Sequence, residues 1–344
     1  MKDPFVKKLA FAAVIVSALI LIAVPFYLKR QKDSITYTRN LMGTIVQITL
    51  MRGERARFDA ASDAAFDEIK RLEALFSSYM PESDVSRISR EAGLRPVKVS
   101  PEVTEVAGKA IGVADISGGA FDPTVGALSK VWGPSGEKGY VPSKEEVGRL
   151  LPLVGYKEME IDKASSTIFL RKKGMALNLG GIAKGYIIDK AAQVLKANGV
   201  ERGIIHAGGD MVVFQEDEER QFIIGIQHPR EKKLLGEAHL YNGAVATSGD
   251  YERFFIKDGV RYHHILDPKT GFPATRSIAV TIIAKDPAIA DGLSTAVFVL
   301  GPKEGMGLIG KIDGAEGAIT GADGKVTVSK GFEGWLADSS KTKY

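Results

Sequence analysis

Leu177-Asn178-Leu179-Gly180-Gly181-Ile182-Ala183-Lys184-Gly185-Tyr186-Ile187-Ile188-Asp189 sets Gly180, Gly181 and Gly185 between an extended approach, Met175 to Leu179, and a helix. The helix carries Ile187/Ile188, Ala191 and Val194/Leu195 on one face at i, i+3/4 and i+7, and Asn198-Gly199 is a good C-cap pair. A glycine-rich turn feeding a helix N-terminus exposes backbone N–H groups and partial positive charge, so an anion such as a pyrophosphate can approach closely. The ordinary alternative is that the glycines only permit tight strand-to-helix packing. The stretch is neither a Walker A loop nor a dinucleotide G-x-G-x-x-G turn.

The 344 residues suit one large domain or two intimate ones, and a content of 44% hydrophobic and 26% charged residues is ample for a core. The net charge of +4 is spread along the chain. With no base-reading motif, nucleic-acid binding has little support. The absence of cysteine excludes disulfides, thiolate metal sites, a cysteine nucleophile and a lipid-modified N-terminal cysteine. Any metal must then be held by oxygen or imidazole.

Leu9 to Leu28 is a run of 20 uncharged residues between Lys7-Lys8 and Lys29-Arg30-Gln31-Lys32. At ~1.5 Å per residue such a helix spans the ~30 Å hydrocarbon core. Pro25-Phe26-Tyr27 suits signal cleavage poorly, so a retained anchor is expected. Residues 1–34 are then anchor and linker, 35–335 the folded region and 336–344 a polar tail. Basic residues flank both ends of the run, so charge leaves orientation open. A single pass through the cytoplasmic membrane, with the large C-terminal region exported, is the simpler arrangement.

Outward from the glycine stretch the chain reads as α+β, with mixed sheets and flanking helices. Ile35 to Thr38 and Ile45 to Leu50 are strands around Met42-Gly43-Thr44, and Val46, Ile48 and Leu50 alternate as a half-buried strand should. Phe58, Ala65, Ile69, Leu72 and Phe76 keep helical spacing. In the loop that follows, Tyr79 is either semi-exposed or a packing tyrosine at the helix end. Ser100-Pro101-Glu102 opens a helix that ends at Gly118-Gly119. In Ala120-Phe121-Asp122-Pro123-Thr124, an aromatic beside an acid can stack a flat ring and bond its edge; an Asp-Pro turn is the alternative. Ser143-Lys144-Glu145-Glu146 is a capping box, and Glu160-Ile161-Asp162 with Thr167 to Arg171 forms a hairpin.

Beyond the glycine stretch, Gly203 to Ala207 and Met211 to Phe214 flank the turn Gly208-Gly209-Asp210, and Phe222 to Gln227 and Ala238 to Tyr241 are strands. Asp258-Gly259 joins Phe254 to Lys257 with Val260 to Leu266. That hairpin delivers His263-His264 on opposite faces, so at most one faces a given site. Asp286-Pro287 caps a helix running to about Leu300. Asp291, Ser294 and Thr295 share one side of it, on a helix apolar nearly all round. A buried carboxylate needs a counter-charge, and this oxygen set suits a hard cation such as Mg²⁺ sharing its shell with phosphates. Alternatively the three residues satisfy neighbouring backbone.

Seven of these segments in order resemble the ApbE family, the FAD:protein FMN transferases. They are Met42-Gly43-Thr44; Phe76-Ser77-Ser78-Tyr79 with Pro81 and Ser83; Gly119 to Pro123; Leu179 to Tyr186; Ala246-Thr247-Ser248-Gly249-Asp250-Tyr251; His264 to Gly271; and Ala290 to Ala296. The resemblance runs from about Ile35 to Lys330. It implies an exported, Mg²⁺-dependent enzyme that splits FAD and esterifies FMN onto a Thr or Ser of a partner, typically a subunit of a membrane redox complex. By the same resemblance Met42, Tyr79, Ala120, Phe121, Asp122, Asn178, Lys184 and Ile265 line an FAD cleft. A backbone oxygen at Gly181, with Asp291, Ser294 and Thr295, would hold the metal. The chain departs from the family at Asn178, where Asp is common, and at His206, where Asn is frequent. A neutral hydroxyl nucleophile needs a proton acceptor, and His264 is the expected general base, against a purely structural role on the hairpin. The rival readings are a Mg²⁺-dependent FAD pyrophosphatase and a non-catalytic, membrane-anchored flavin binder.

Overall fold

The computed structural model describes residues 34–132, 139–218 and 220–335. The expected anchor at Leu9 to Leu28 and the polar tail lie outside them. Among the described residues no helix is long and apolar enough to cross a membrane.

Eight strands form the central sheet, in the spatial order β1 (Ser34–Leu41), β2 (Thr44–Met51), β6 (Arg202–Ala207), β7 (Asp210–Gln215), β10 (Gly243–Gly249), β13 (Ser277–Ala284), β14 (Glu316–Gly321) and β15 (Val326–Val328). Each neighbouring pair is antiparallel. The expectation of mixed sheets is corrected here: the only parallel pairing among the described residues is the isolated bridge Val125↔Ala176. That bridge is also all the ladder the extended approach to the glycine stretch makes. The β1–β2 turn places Met42 at φ 54° and Gly43 at φ 66°, the positive-φ pair that matches the twist of a two-residue hairpin.

One face is covered by α1 (Arg55–Phe76), α6 (Ala183–Ala197) and α7 (Pro287–Ile309), and α3 (Pro101–Ile116) packs against α7. Val46, Ile48 and Leu50 on β2 and the stripe Phe58, Ala61, Ala65, Ile69, Leu72 on α1 are fully or almost fully buried there. At α7 the Asp286 side chain accepts from the N–H groups of Ala288 and Ile289, as its capping position demands. Gly301 (φ 79°) breaks α7 where the sequence ends it, but Pro302 starts a second helical segment directly after. Ser100, by contrast, caps α3 without a side-chain bond.

α6 and α7 cross so closely that a Cβ on Gly185 would stand 2.1 Å from the Pro287 carbonyl oxygen. That approach brings the N-terminus of α6 against the first turn of α7. Gly185→Ala must therefore push the two backbones apart. It is expected to destabilise by about 1–3 kcal/mol, read as a lower denaturation midpoint. An unchanged midpoint would mean the helices are free to separate.

The opposite face of the sheet is covered by the hairpin β8 (Phe222–Gln227) and β9 (Leu234–Leu240), which buries Phe222, Ile224 and Ile226 together with Phe332. A smaller three-stranded sheet, β3 (Val97–Lys98), β5 (Thr167–Leu170) and β4 (Met159–Asp162), accompanies α2 (Asp84–Arg90), α4 (Gly126–Trp132) and α5 (Lys144–Leu150). The remaining hairpin, β11 (Phe254–Lys257) and β12 (Val260–His263), turns at Asp258-Gly259 as expected.

Candidate functional site

The turn at Gly181 and the helix bearing Asp291 face one another. A Cβ on Gly181 would lie 3.1 Å from Thr295 Oγ1 and 3.2 Å from Phe121 Cε2, so any side chain there would fill the gap between turn and helix. The Gly185 N–H donates to Asp291 Oδ2 (3.1 Å), and Lys184 Nζ lies 3.8 Å from Asp291 Oδ1. Lys184 also pairs with Asp210 at the start of β7. Two carboxylates against one ammonium leave a negative charge uncompensated, and Asp210 Oδ1 is buried without a hydrogen-bond partner. Burial, then the like charge of Asp210, pushes the Asp291 carboxyl well above its ordinary range; Lys184 only partly offsets this. For Lys184, burial opposes the ammonium, but the charges of Asp210 and Asp291 outweigh it and raise its pKa.

This constellation fits a hard cation. The donors on offer are all oxygen: the Asp291 carboxylate, the Thr295 hydroxyl, the Gly181 carbonyl and the Ser294 hydroxyl. Ser294 Oγ already donates to the Asp291 carbonyl (2.8 Å) and lies 2.8 Å from Ser248 Oγ. Among the described residues no group of three or more His, Cys, Asp or Glu is arranged for a metal. A cation here must complete its shell with oxygens from a ligand or water, as Mg²⁺ commonly does.

The other expected residues surround this centre unequally. Tyr79, at 71% exposure, is more open than its semi-exposed reading. With Ser89, Arg90, Ser129, Lys130 and Asn178 it lines a cavity of about 450 Å³. Asn178 is pinned there: its Nδ2 donates to Ser129 Oγ (3.1 Å) and its Oδ1 accepts from the Gly180 N–H (2.9 Å). Met42 lines a separate cavity of about 450 Å³ at the β1–β2 turn. Ala120, Phe121 and Ile265 are buried. The Asp122 carboxylate serves its own loop, accepting from Thr124 N–H and Oγ1 and from the Tyr156 N–H, while burial raises its pKa.

The two histidines part as the strand geometry requires. His263 is buried: its Nε2–H donates to the Ala274 carbonyl (2.8 Å), its Nδ1 accepts from the Ile265 N–H (3.3 Å), and its ring meets Phe298 edge-on. Burial lowers its pKa, and with both ring nitrogens bonded to backbone it is a structural residue. His264 is exposed. Its Nδ1 lies 3.4 Å from the Arg253 carbonyl, an acceptor only, which favours the proton on Nδ1 and the lone pair on Nε2. Although its ring reaches solvent, protein crowds it on the other sides. That desolvation, then the charges of Arg253, and of Lys184 more weakly, pull its pKa below the ordinary histidine value.

Two participants were missed in the sequence. Asp210 reads in sequence as part of a turn, although an acid following Gly208-Gly209 into a strand hydrophobic on both sides is a signal for a buried charge. Arg253 carried no signal of its own.

Comparison with known proteins bears on every one of these segments. The ApbE family profile matches residues 42–319. The FAD:protein FMN transferase of Treponema pallidum is 31% identical over 310 residues, covering 85% of each chain. That of Klebsiella pneumoniae is 33% identical over 273 residues, covering 78% of this chain and 84% of its own. The crystal structure of the ApbE protein of Thermotoga maritima superposes with a TM-score of 0.82 at 35% identity, over 89% of this chain and all (100%) of that one. The flavin transferase ApbE of Vibrio cholerae gives 0.75 at 27% identity, over 88% and 99%. With the match running through both the Gly181 turn and the Asp291 helix, this chain belongs to the ApbE family.

Proposed function

We propose that this protein transfers the FMN half of FAD onto a Thr or Ser hydroxyl of an acceptor protein and releases AMP, with Mg²⁺ at the diphosphate. The observation that carries this reading is the opposed Gly181 turn and Asp291 helix, with its uncompensated carboxylate charge beside Lys184. The residues that would hold the metal are Gly181, Asp291, Ser294 and Thr295. When bound there, Mg²⁺ supplies neutralisation of diphosphate charge. Lys184 and the amides of the glycine turn add fixed positive potential at the same phosphates. Met42, Tyr79, Ala120, Phe121, Asp122, Asn178 and Ile265 are the residues assigned to holding the nucleotide, Asp122 by bracing its loop. His264 Nε2 takes the proton of the acceptor hydroxyl as its oxygen attacks the FMN phosphorus. A candidate acceptor domain incubated with FAD and Mg²⁺ should gain the mass of FMN. Free FMN and AMP with an unmodified acceptor would instead mark a pyrophosphatase.

The N-terminal segment is assigned as a single-pass anchor holding the catalytic region outside the cytoplasmic membrane, beside a membrane redox-complex subunit as acceptor. Protease added to intact spheroplasts should then digest the catalytic region, and full protection would rule the arrangement out.

The metal assignment also has a stability signature. A carboxyl whose folded pKa is raised binds its proton more tightly folded than unfolded. Asp291 therefore costs the metal-free protein stability as pH rises from the ordinary carboxyl range towards the raised value. Mg²⁺ should raise the melting midpoint by roughly 5 °C at about pH 8, and by much less at about pH 5 where Asp291 holds a proton. Equal shifts at both pH values would put the cation elsewhere.

A further inference from the structure

Arg253 precedes β11, and it meets neighbouring backbone at both ends, through its guanidinium and through its own carbonyl. Nη2 makes a long hydrogen bond to the Gly43 carbonyl (3.4 Å), and a Cβ on Gly43 would come within 3.1 Å of it. At the other end, the His264 N–H donates to the Arg253 carbonyl (3.1 Å). The turn that Arg253 touches continues inward: Thr44 Oγ1 lies 3.2 Å from where a Cβ on Gly208 would stand, and Gly208-Gly209 leads to Asp210, the partner of Lys184. Arg253 therefore ties the segment of Met42, through its guanidinium, to the segment of His264, through its main-chain carbonyl.

Lys184 has two carboxylates, yet among the described residues none forms an ion pair with Arg253, which is exposed. Beside that backbone contact, its charge adds to desolvation in lowering the proton affinity of His264. An exposed guanidinium held near the base with no carboxylate of its own keeps donors available to an anion. The anion nearest a working His264 is the phosphoryl group under attack.

We propose that Arg253 binds the non-bridging oxygens of the FMN phosphate as it is transferred, a role that rests on the flavin-transfer reading above. In that step the acceptor oxygen bonds to the FMN phosphorus. The bond from that phosphorus to the bridging oxygen breaks, its electron pair leaves with AMP, and the hydroxyl proton goes to His264. Charge on the non-bridging oxygens is what a planar two-pronged donor is suited to hold.

The test compares FMN with riboflavin, which lacks the phosphate, by flavin-fluorescence titration of the full chain with Mg²⁺. Arg253→Ala should lose about tenfold or more in FMN affinity while riboflavin affinity stays level, and kcat for transfer should fall by ~10²–10³. Arg253→Lys should keep part of the FMN preference, and added guanidinium ion should restore part of the Ala variant's kcat. Equal losses for both flavins mean that Arg253 only braces the Gly43 turn; unchanged FMN affinity and kcat likewise overturn the proposal. If the wild type fails to modify any acceptor, the flavin-transfer reading falls, while the FMN-to-riboflavin ratio still decides whether Arg253 is a phosphate ligand.

Discussion

Asp291→Asn is expected to cut FMN transfer by ~10³-fold or more, measured as the mass gain of the acceptor with time in saturating FAD and Mg²⁺. The substitution keeps the shape of the side chain and an oxygen to accept the Gly185 N–H, so the crossing of α6 and α7 is retained. What it removes is the carboxylate charge that a cation needs. It also removes a buried charge repelled by Asp210. In EDTA the variant should therefore melt at or above the wild-type midpoint, and Mg²⁺ should no longer raise it. A lower midpoint would mean that activity was lost through misfolding. Wild-type transfer by a well-folded variant would remove Asp291 from the metal site.

His264→Ala should lower kcat for transfer by ~10²–10⁴ and leave FAD affinity nearly unchanged, because the ring acts on the acceptor proton and not on the nucleotide. The pH profile separates this from a packing effect. A general base works when deprotonated, so activity falls as pH drops through its pKa. Desolvation and the charge of Arg253 hold the His264 pKa below the ordinary value of about 6.5. The acid limb of kcat/KM should accordingly lie below ~6.5 in the wild type and vanish in the variant. A limb at or above that value, or one that survives the substitution, would assign the base elsewhere. His263→Ala is the contrasting control. It should lower the melting midpoint, since it deletes a buried ring bonded to Ala274 and packed on Phe298.

What the sequence revealed follows from how local the physics is. The Asp286-Pro287 cap, the Asp258-Gly259 turn, the glycine stretch and the stripe of α1 are each written within a few residues, and each was legible. β10 was not: Gly243 to Gly249 is short and carries few bulky residues, and it becomes a strand because β7 and β13 pair with it on both sides. β14 and β15 are likewise set by tertiary pairing. At the site, the grouping of Asp291, Ser294 and Thr295 on one side of a helix could be read directly, because the helical period places residues three and four apart together. The ion pair between Lys184 and Asp210 could not, since it joins a helix N-terminus to the start of a strand two elements later. Asp122 marks the opposite limit. Its residue type was compatible with edge-binding of a ring or with a turn, and its bonds to Thr124 and Tyr156, the latter far along the chain, could not be read locally.

A crystal of the full chain grown with FAD and Mn²⁺, the latter replacing Mg²⁺, tests the whole arrangement through its anomalous difference map. The account predicts one strong peak between the Asp291 carboxylate and the Gly181 carbonyl, with diphosphate oxygens of the dinucleotide in its shell. A dinucleotide whose diphosphate lies away from Asp291, with no peak beside that carboxylate, would contradict it.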